Sequence, residues 1–381
     1  VAVAEPDAQR RNEELVGQLE ASGTLRDPTI AGAFRAVLRH HFLPGRPLDE
    51  VYEDSAILTK TGAHGLPVSS SSQPAIMAIM LQQLQLKPGQ RVLEIGAGTG
   101  YNAALMAHLT RPDGHVVTLD VDAELCQQAR ANLAGAGATG VEVVHADGAG
   151  GWPAGAPYHR IILTVGADDI SPAWLDQLTE DGRLVLPLGL GGIAQMSVTF
   201  IRRGRRLVSS ELSPCGFMTL RGEMAPAEPT PWERARGFDD WLRRPGRPTG
   251  HVVPARDLGA GFETWLCVTQ DSTVRARPRP DDAPALGLED ESGLALLVGE
   301  GDDLAITVFA EGERAAERLA AAHQEWTLAR PDLDHLEVEA VPNAELDSGV
   351  RHQEVVVRAT TGPRTARVVA RPRFSFFVRQ T

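Results

Sequence analysis

The run Arg91-Val-Leu-Glu-Ile-Gly-Ala-Gly-Thr-Gly-Tyr101 constrains this chain more than any other stretch, because a strand passes straight into a glycine turn. Val92, Leu93 and Ile95 are the apolar residues of a buried parallel strand. Gly96, Gly98 and Gly100 let the backbone turn tightly and lie flat against a ligand, where a Cβ would block both. A dinucleotide loop places its third glycine one residue later, where this chain has Tyr101. With Glu94 ahead of the glycines, the pattern is acid-x-Gly-x-Gly-x-Gly.

Further landmarks follow in order. Tyr101 to Leu109 reads as a helix, and Val116 to Leu119 as a second strand ending in Asp120, an acid placed to accept hydrogen bonds from both hydroxyls of a ribose. A third strand, Val141 to His145, leads into Asp147-Gly148, where an acid can take an adenine amino group. A fourth, Arg160 to Val165, contains Thr164, and Gly182 to Pro187 follows a short helix, Pro172 to Leu178, as a fifth. Alternating strands and helices predict a doubly wound, mostly parallel α/β sheet with its ligand at the carboxyl ends of the strands, and together with the acid-x-Gly-x-Gly-x-Gly turn the pattern resembles the Rossmann-like class I methyltransferase fold. The expected cofactor is S-adenosylmethionine, held by Glu94, Gly96, Gly98, Gly100, Tyr101, Asp120, Asp147, Gly148 and Thr164. The bland alternative makes Asp120 and Asp147 turn and cap residues only; four landmarks in the right order argue against it.

A chain of 381 residues exceeds one typical domain. Residues 11–42 read as helical, 51–71 as irregular, and 73–86 as a helix. Met196 to Arg202 and Leu207 to Leu212 are expected to complete the sheet as antiparallel strands. The prolines of Ala225 to Pro231 predict a linker, which leaves residues 1–222 as a cofactor-binding catalytic domain and 223–381 as a second α+β domain. In the latter, strands are expected at Phe262–Val268, Leu294–Val298, Leu304–Phe309, Leu336–Val341, Val355–Thr360 and Ala366–Val378, with a helix at Glu311–Ala329. A net charge of −13 speaks against a nucleic-acid partner. A polar N-terminus, no bilayer-long apolar run and three scattered cysteines fit a cytoplasmic protein away from membranes. The first residue is not Met, which suggests trimming or a boundary.

The methyl acceptor is argued by elimination. Amine and base methyltransferases commonly follow the fourth strand with Asn/Asp-Pro-Pro-aromatic; here Thr164-Val-Gly-Ala167 stands in that place. No metal-ligand cluster of the catechol type is evident, so no metal is expected. A carboxylate, with a pKa of about 4, is already nucleophilic at neutral pH and needs no general base. It needs alignment and neutral donors, and a run of hydroxyls, Ser69-Ser-Ser-Ser72, precedes the first strand.

Over roughly residues 10–222 the chain resembles the protein-L-isoaspartate (D-aspartate) O-methyltransferase family. The resemblance rests on Val51-Tyr-Glu-Asp54, Ser70-Ser-Ser-Gln-Pro74, Val92 to Tyr101, Asp147-Gly-Ala-Gly-Gly-Trp152 and Phe217-Met-Thr-Leu-Arg-Gly222. It implies that Ser72 contacts the acceptor carboxylate, with Ser70, in place of the family's threonine, and Ser71 beside it; a plain alternative has Ser72 capping the helix that Pro74 opens. Two features depart from the pattern. The gap between Asp54 and Ser72 is about six residues longer than the family's, through Thr59 to Gly65, a loop that can carry Lys60 and His64 toward the peptide site, although a lone loop histidine is more often solvated and His64 is not counted as a site residue. A second domain is appended, whose residues 351–381 hold seven Arg against the single acid Glu354. These departures resemble an actinobacterial branch that accompanies ribosomal peptides cyclised by lanthipeptide or ATP-grasp (graspetide) enzymes. That branch implies methylation of a normal Asp in a constrained precursor peptide, followed by aspartimide. The alternatives are general isoaspartyl repair of proteins, a non-catalytic peptide-binding module and, least favoured, small-molecule or nucleic-acid methylation.

Overall fold

A computed structural model describes residues 5–62, 65, 67–191, 194–225, 238–258, 260–270, 272–279, 282–283, 285–299, 301–329, 336–342, 364–370 and 374–380. They form two compact units, Val1–Pro187 with Ser197–Ala225, and Leu188–Met196 with Pro226–Thr381. Among the described residues no helix is long and apolar enough to cross a membrane.

The first unit begins with α1 (Glu5–Ala21), α2 (Pro28–Ala36) and the single turn α3 (Leu48–Val51). The expected continuous helix over 11–42 is broken, because Asp27 accepts a hydrogen bond from Thr29 N at 2.7 Å and starts α2 afresh with Pro28 in its first turn. The stretch read as irregular contains a hairpin, β1 (Ile57–Thr61) with β2 (Pro67–Ser71), paired from Ile57↔Ser71 to Thr61↔Pro67. His64 lies outside the described residues. Then come α4 (Pro74–Leu84), β3 (Arg91–Ile95), α5 (Tyr101–Thr110), β4 (His115–Asp120), α6 (Ala123–Gly135), β5 (Val141–His145), β6 (Tyr158–Leu163), α7 (Pro172–Gln177), β7 (Leu178–Gly191), β8 (Ala194–Arg203) and β9 (Arg206–Cys215).

Within this unit the strands lie in the order β9-β8-β7-β6-β3-β4-β5. The pairs β3–β4, β4–β5, β3–β6 and β6–β7 are parallel. This is the expected Rossmann-like class I methyltransferase sheet. Neighbouring residues such as Val92 and Leu93, or Val116 and Val117, are both fully enclosed, which is why these strands are apolar throughout rather than alternating. The chain builds outward from β3 in both directions, so the switch point lies between β3 and β6, where such sheets take their ligands.

In the second unit α8 (Asp239–Leu242), β10 (Arg247–Pro254), α9 (Ala260–Thr269), β11 (Thr273–Ala276), β12 (Ala285–Glu289), β13 (Gly293–Val298), β14 (Asp303–Ala310) and α10 (Glu313–Ala329) precede β15 (Leu336–Pro342), β16 (Arg364–Ala370) and β17 (Phe374–Gln380). One sheet runs β10-β14-β13-β12-β11, with every pair antiparallel. β17 pairs antiparallel with both β15 and β16. The strand expected at Phe262–Val268 is instead the helix α9: Phe262, Trp265 and Leu266 are buried at the i, i+3, i+4 spacing of a helix face. The single strand expected at Ala366–Val378 is the hairpin strands β16 and β17. The proposed strand Val355–Thr360, most of the Ala225–Pro231 linker and the side chains of the arginine-rich stretch lie outside the described residues.

Candidate active site

At the end of β3 the backbone enters the left-handed region at Gly96, Gly98 and Gly100, with φ of 106°, 50° and 86°. Gly96 and Gly100 also sit where a side chain has little room. A Cβ on Gly96 would come within 2.7 Å of Thr164 Oγ1, and one on Gly100 within 3.2 Å of Leu133. A Cβ on Gly98 would stand 3.6 Å from the Ser70 carbonyl, so β2 lies directly over the loop. Gly96 and Ala97 both donate to the Leu119 carbonyl, at 2.8 and 2.9 Å, which ties the loop to the end of β4. Thr164 closes it from the β6 side by donating from Oγ1 to Gly96 O at 2.6 Å.

Three acids surround this turn in different ways. Glu94 is wholly enclosed and accepts hydrogen bonds from Asn102 Nδ2 at 2.8 Å and Thr118 Oγ1 at 2.6 Å. Burial pushes its carboxyl up to about 7 against the pull of those donors. Asp120 ends β4 and takes Gly98 N at 3.2 Å and Asp122 N at 3.0 Å; burial raises its pKa while the two amides and Arg221 oppose. Asp147 accepts from Ala149 N at 2.9 Å and Glu223 N at 2.7 Å. Gly222, at φ 95°, lets its backbone approach Asp147 so closely that a Cβ would sit 2.4 Å from the carboxylate. Gly148, the residue after this acid, is pressed on Ile95. The loop, Asp120, Asp147 and Thr164 therefore meet around one switch point. Tyr101 does not join them by its side chain: only 2% exposed, its ring packs against Phe34 and Phe42 beneath the loop. Only its backbone, at the start of α5, faces the turn.

The four serines divide by strand alternation. Ser69 and Ser71 are buried, whereas Ser70 and Ser72 are half-exposed. Ser69 Oγ accepts from Thr59 at 3.1 Å, and Ser71 Oγ accepts from the buried Arg39 at 3.4 Å. The hydroxyls of Ser70 and Ser72 have no protein partner among the described residues. Nor does Ser72 cap α4. Asp54 does so from a distance, accepting Ala75 N at 2.8 Å and Gln73 Nε2 at 3.0 Å. Of the three serines expected at the acceptor, Ser71 is buried against Arg39, while the hydroxyls of Ser70 and Ser72 have no protein partner among the described residues.

Sequence reasoning missed several contributors. Lys60 does not stand free at the peptide site; its ammonium bonds Asp122 at 2.9 and 2.7 Å and Glu124 at 2.7 Å, fastening β1 to the turn after Asp120. Arg221 reaches to 3.6 Å from Asp120 and 3.7 Å from Asp122. Its segment crosses the end of β6, with Gly166 N donating to Met218 O and Leu220 N to Gly166 O, both at 2.7 Å. Arg221 lies within the motif Phe217 to Gly222, which is its signal in the sequence. Nothing in the sequence paired Lys60 with Asp122, 62 residues away.

The family profile described as protein-L-isoaspartate(D-aspartate) O-methyltransferase (PCMT) matches residues 10–225. The chain belongs to this family. A protein-L-isoaspartate O-methyltransferase of Methanopyrus kandleri is 36% identical over 222 residues, covering 58% of this chain and 96% of that relative. Protein-L-isoaspartate O-methyltransferase 1 of Rhodopseudomonas palustris is 39% identical over 229 residues, covering 60% and 89%. A solved protein-L-isoaspartate O-methyltransferase superposes with a TM-score of 0.55 at 27% identity, covering 86% of this chain and 96% of its own. That likeness is longer than the first 225 residues supply. The protein is accordingly an S-adenosylmethionine-dependent methyltransferase. Its residues fit that cofactor: the glycine turn presents bare backbone, and the accepting carboxylates Asp120 and Asp147 stand at the ends of the two strands beyond it.

Proposed function

We propose that this enzyme esterifies the carboxylate of an aspartyl-type residue in a peptide, with Ser70 and Ser72 offering their hydroxyls to that carboxylate. One observation carries the reading: of the two hydroxyls without protein partners, Ser70 lies on the strand that covers Gly98 and Ser72 directly follows that strand. When bound, S-adenosylmethionine supplies an electrophilic methyl group on sulfur. The acceptor carboxylate is already ionised at neutral pH, so Ser70 and Ser72 would have only to align its oxygen with that methyl group. No proton moves. The protein therefore works by position, and neutral hydroxyls orient the nucleophile without dulling it as a cation would. In this reading Asp120 holds the ribose hydroxyls, Asp147 the adenine amino group, and Glu94 and Thr164 shape the loop.

Two acceptors fit. The names of the relatives support an isoaspartyl residue, as in protein repair. A normal Asp in a cyclised ribosomal precursor, giving aspartimide, is supported by the lengthened stretch between Asp54 and Ser72, which includes the β1–β2 hairpin beside the serines. The appended unit does not separate them, since the solved relative already spans 86% of this chain. Mass spectrometry of an isoaspartyl peptide and of a cyclised Asp peptide after incubation with the enzyme decides the matter. Methyl gain followed by methanol loss on the cyclised peptide alone would exclude repair. Turnover of the isoaspartyl peptide alone would exclude the precursor. The serine assignment is tested by Ser72→Ala, which should lower methyl transfer about tenfold or more, as expected for a transition-state hydrogen bond, with cofactor affinity nearly unchanged. Equal losses in both would make Ser72 structural.

A further inference from the structure

We propose that Glu5, His40 and His41, none of them assigned to methyl transfer, form a binding site for one divalent transition-metal ion of the zinc class. The three residues come from the start of α1 and from the 3-10 turn Arg39–Phe42, which the fold brings together. One donor atom from each lies within 4.8 Å of the others.

The geometry favours a metal over an ordinary ion pair. His40 Nε2 stands 3.5 Å from Glu5 Oε2, and His41 Nε2 stands 3.6 Å from Glu5 Oε1. Both are long for hydrogen bonds. Each imidazole faces a different oxygen of the one carboxylate, so the three side chains bracket a position that an ion could take between them. His41 Nε2 is buried and makes no hydrogen bond, an unsatisfied donor or acceptor that a metal would resolve. His40 has an outer partner of the kind metal-bound histidines use: its Nδ1 lies 2.8 Å from the hydroxyl of Tyr52, itself only 7% exposed. In the tautomer whose Nδ1–H donates to Tyr52, Nε2 keeps its lone pair toward Glu5. Two imidazoles and one carboxylate suit zinc-class ions rather than magnesium or calcium, which want oxygen ligands only. Three protein ligands leave the fourth position to water.

The site has a structural consequence. The neighbouring Arg39 donates to the carbonyls of Val51 at 2.8 Å, Ser55 at 3.0 Å and Ser72 at 3.0 Å. A metal ion would fasten α1 to the turn that carries this guanidinium and so brace the end of the serine strand.

The test uses the full chain without a histidine tag, stripped with chelator, in calorimetric titrations with Zn2+ and visible absorption with Co2+. Glu5 and His41 keep 50% and 31% of their side-chain surface exposed, so Glu5→Ala and His41→Ala should fold normally, as circular dichroism checks. One ion per chain is expected, with tetrahedral Co2+ bands, at least tenfold weaker binding in either variant and no competition from millimolar Mg2+. Zn2+ should raise the melting temperature of the parent but not of the variants. No saturable binding overturns the proposal. So does binding that the double variant leaves unchanged, which would place the ion on other histidines.

Discussion

Replacing Glu94 with glutamine should make the catalytic unit more stable at alkaline pH and remove part of its pH dependence. Glu94 has no exposed surface, and burial raises its carboxyl from the ordinary 4.5 to about 7. Below pH 4.5 the group is protonated in folded and unfolded chains alike and contributes nothing to the pH dependence. Between 4.5 and 7 the folded protein keeps a proton that the unfolded chain has released, so stability falls as pH rises through this window. Above 7 the full cost is present, roughly 3 kcal/mol at about 1.4 kcal/mol per pKa unit. Glutamine carries no charge at any of these values. It retains an oxygen for Asn102, and its amide can donate to Thr118 Oγ1 where the carboxylate accepted. The variant should therefore match the parent near pH 4.5 and exceed it by about 3 kcal/mol at pH 8. Hydrogen exchange at the amides of β3 and α5 reads the opening free energy of this unit directly. Parallel pH profiles for parent and variant would refute the reasoning, as would a glutamine variant that is less stable at pH 8.

Other outcomes follow from the same geometry. Asp120→Ala should weaken S-adenosylmethionine binding by about 1–3 kcal/mol through loss of charge-assisted hydrogen bonds; unaltered affinity in calorimetry would remove Asp120 from the ribose role. Lys60→Gln severs the hairpin from Asp122 and Glu124, so exchange at the β2 amides should quicken severalfold and the peptide KM rise; no change in either would make the ion pair incidental. Asp54→Ala removes the remote cap from α4 and should cost about 1 kcal/mol, with a lower melting temperature. A loss no larger than that of Glu53→Ala would show that the cap is not needed.

The catalytic unit was legible where its information is local. The glycines after β3, the acids ending β4 and β5, and the apolar runs between them declare a parallel sheet because their spacing alone sets strand, turn and helix. The hairpin before Ser72 was not legible, since β1 and β2 alternate too weakly to be told from loop. Phe262 to Val268 misled for another reason: a short apolar run fits either period until its neighbours choose the face. Tyr101, read as a cofactor residue from its place in the motif, turns inward because Phe34 and Phe42 supply an apolar slot. The cap on α4 came from Asp54, 21 residues upstream of the amide it accepts, rather than from the adjacent serine.

What the sequence determined by itself is the sheet, its glycine turn and the kind of ligand that turn accepts, because backbone chirality and side-chain period act between near neighbours. The distinction among four identical serines belonged to the tertiary structure. Arg39 and Thr59 claim the inward pair, the register of β1 against β2 turns Ser70 outward, and Ser72 follows the end of β2. The convergence of Glu5 with His40 and His41 has the same origin: contacts across long stretches of chain exist only after the core has packed.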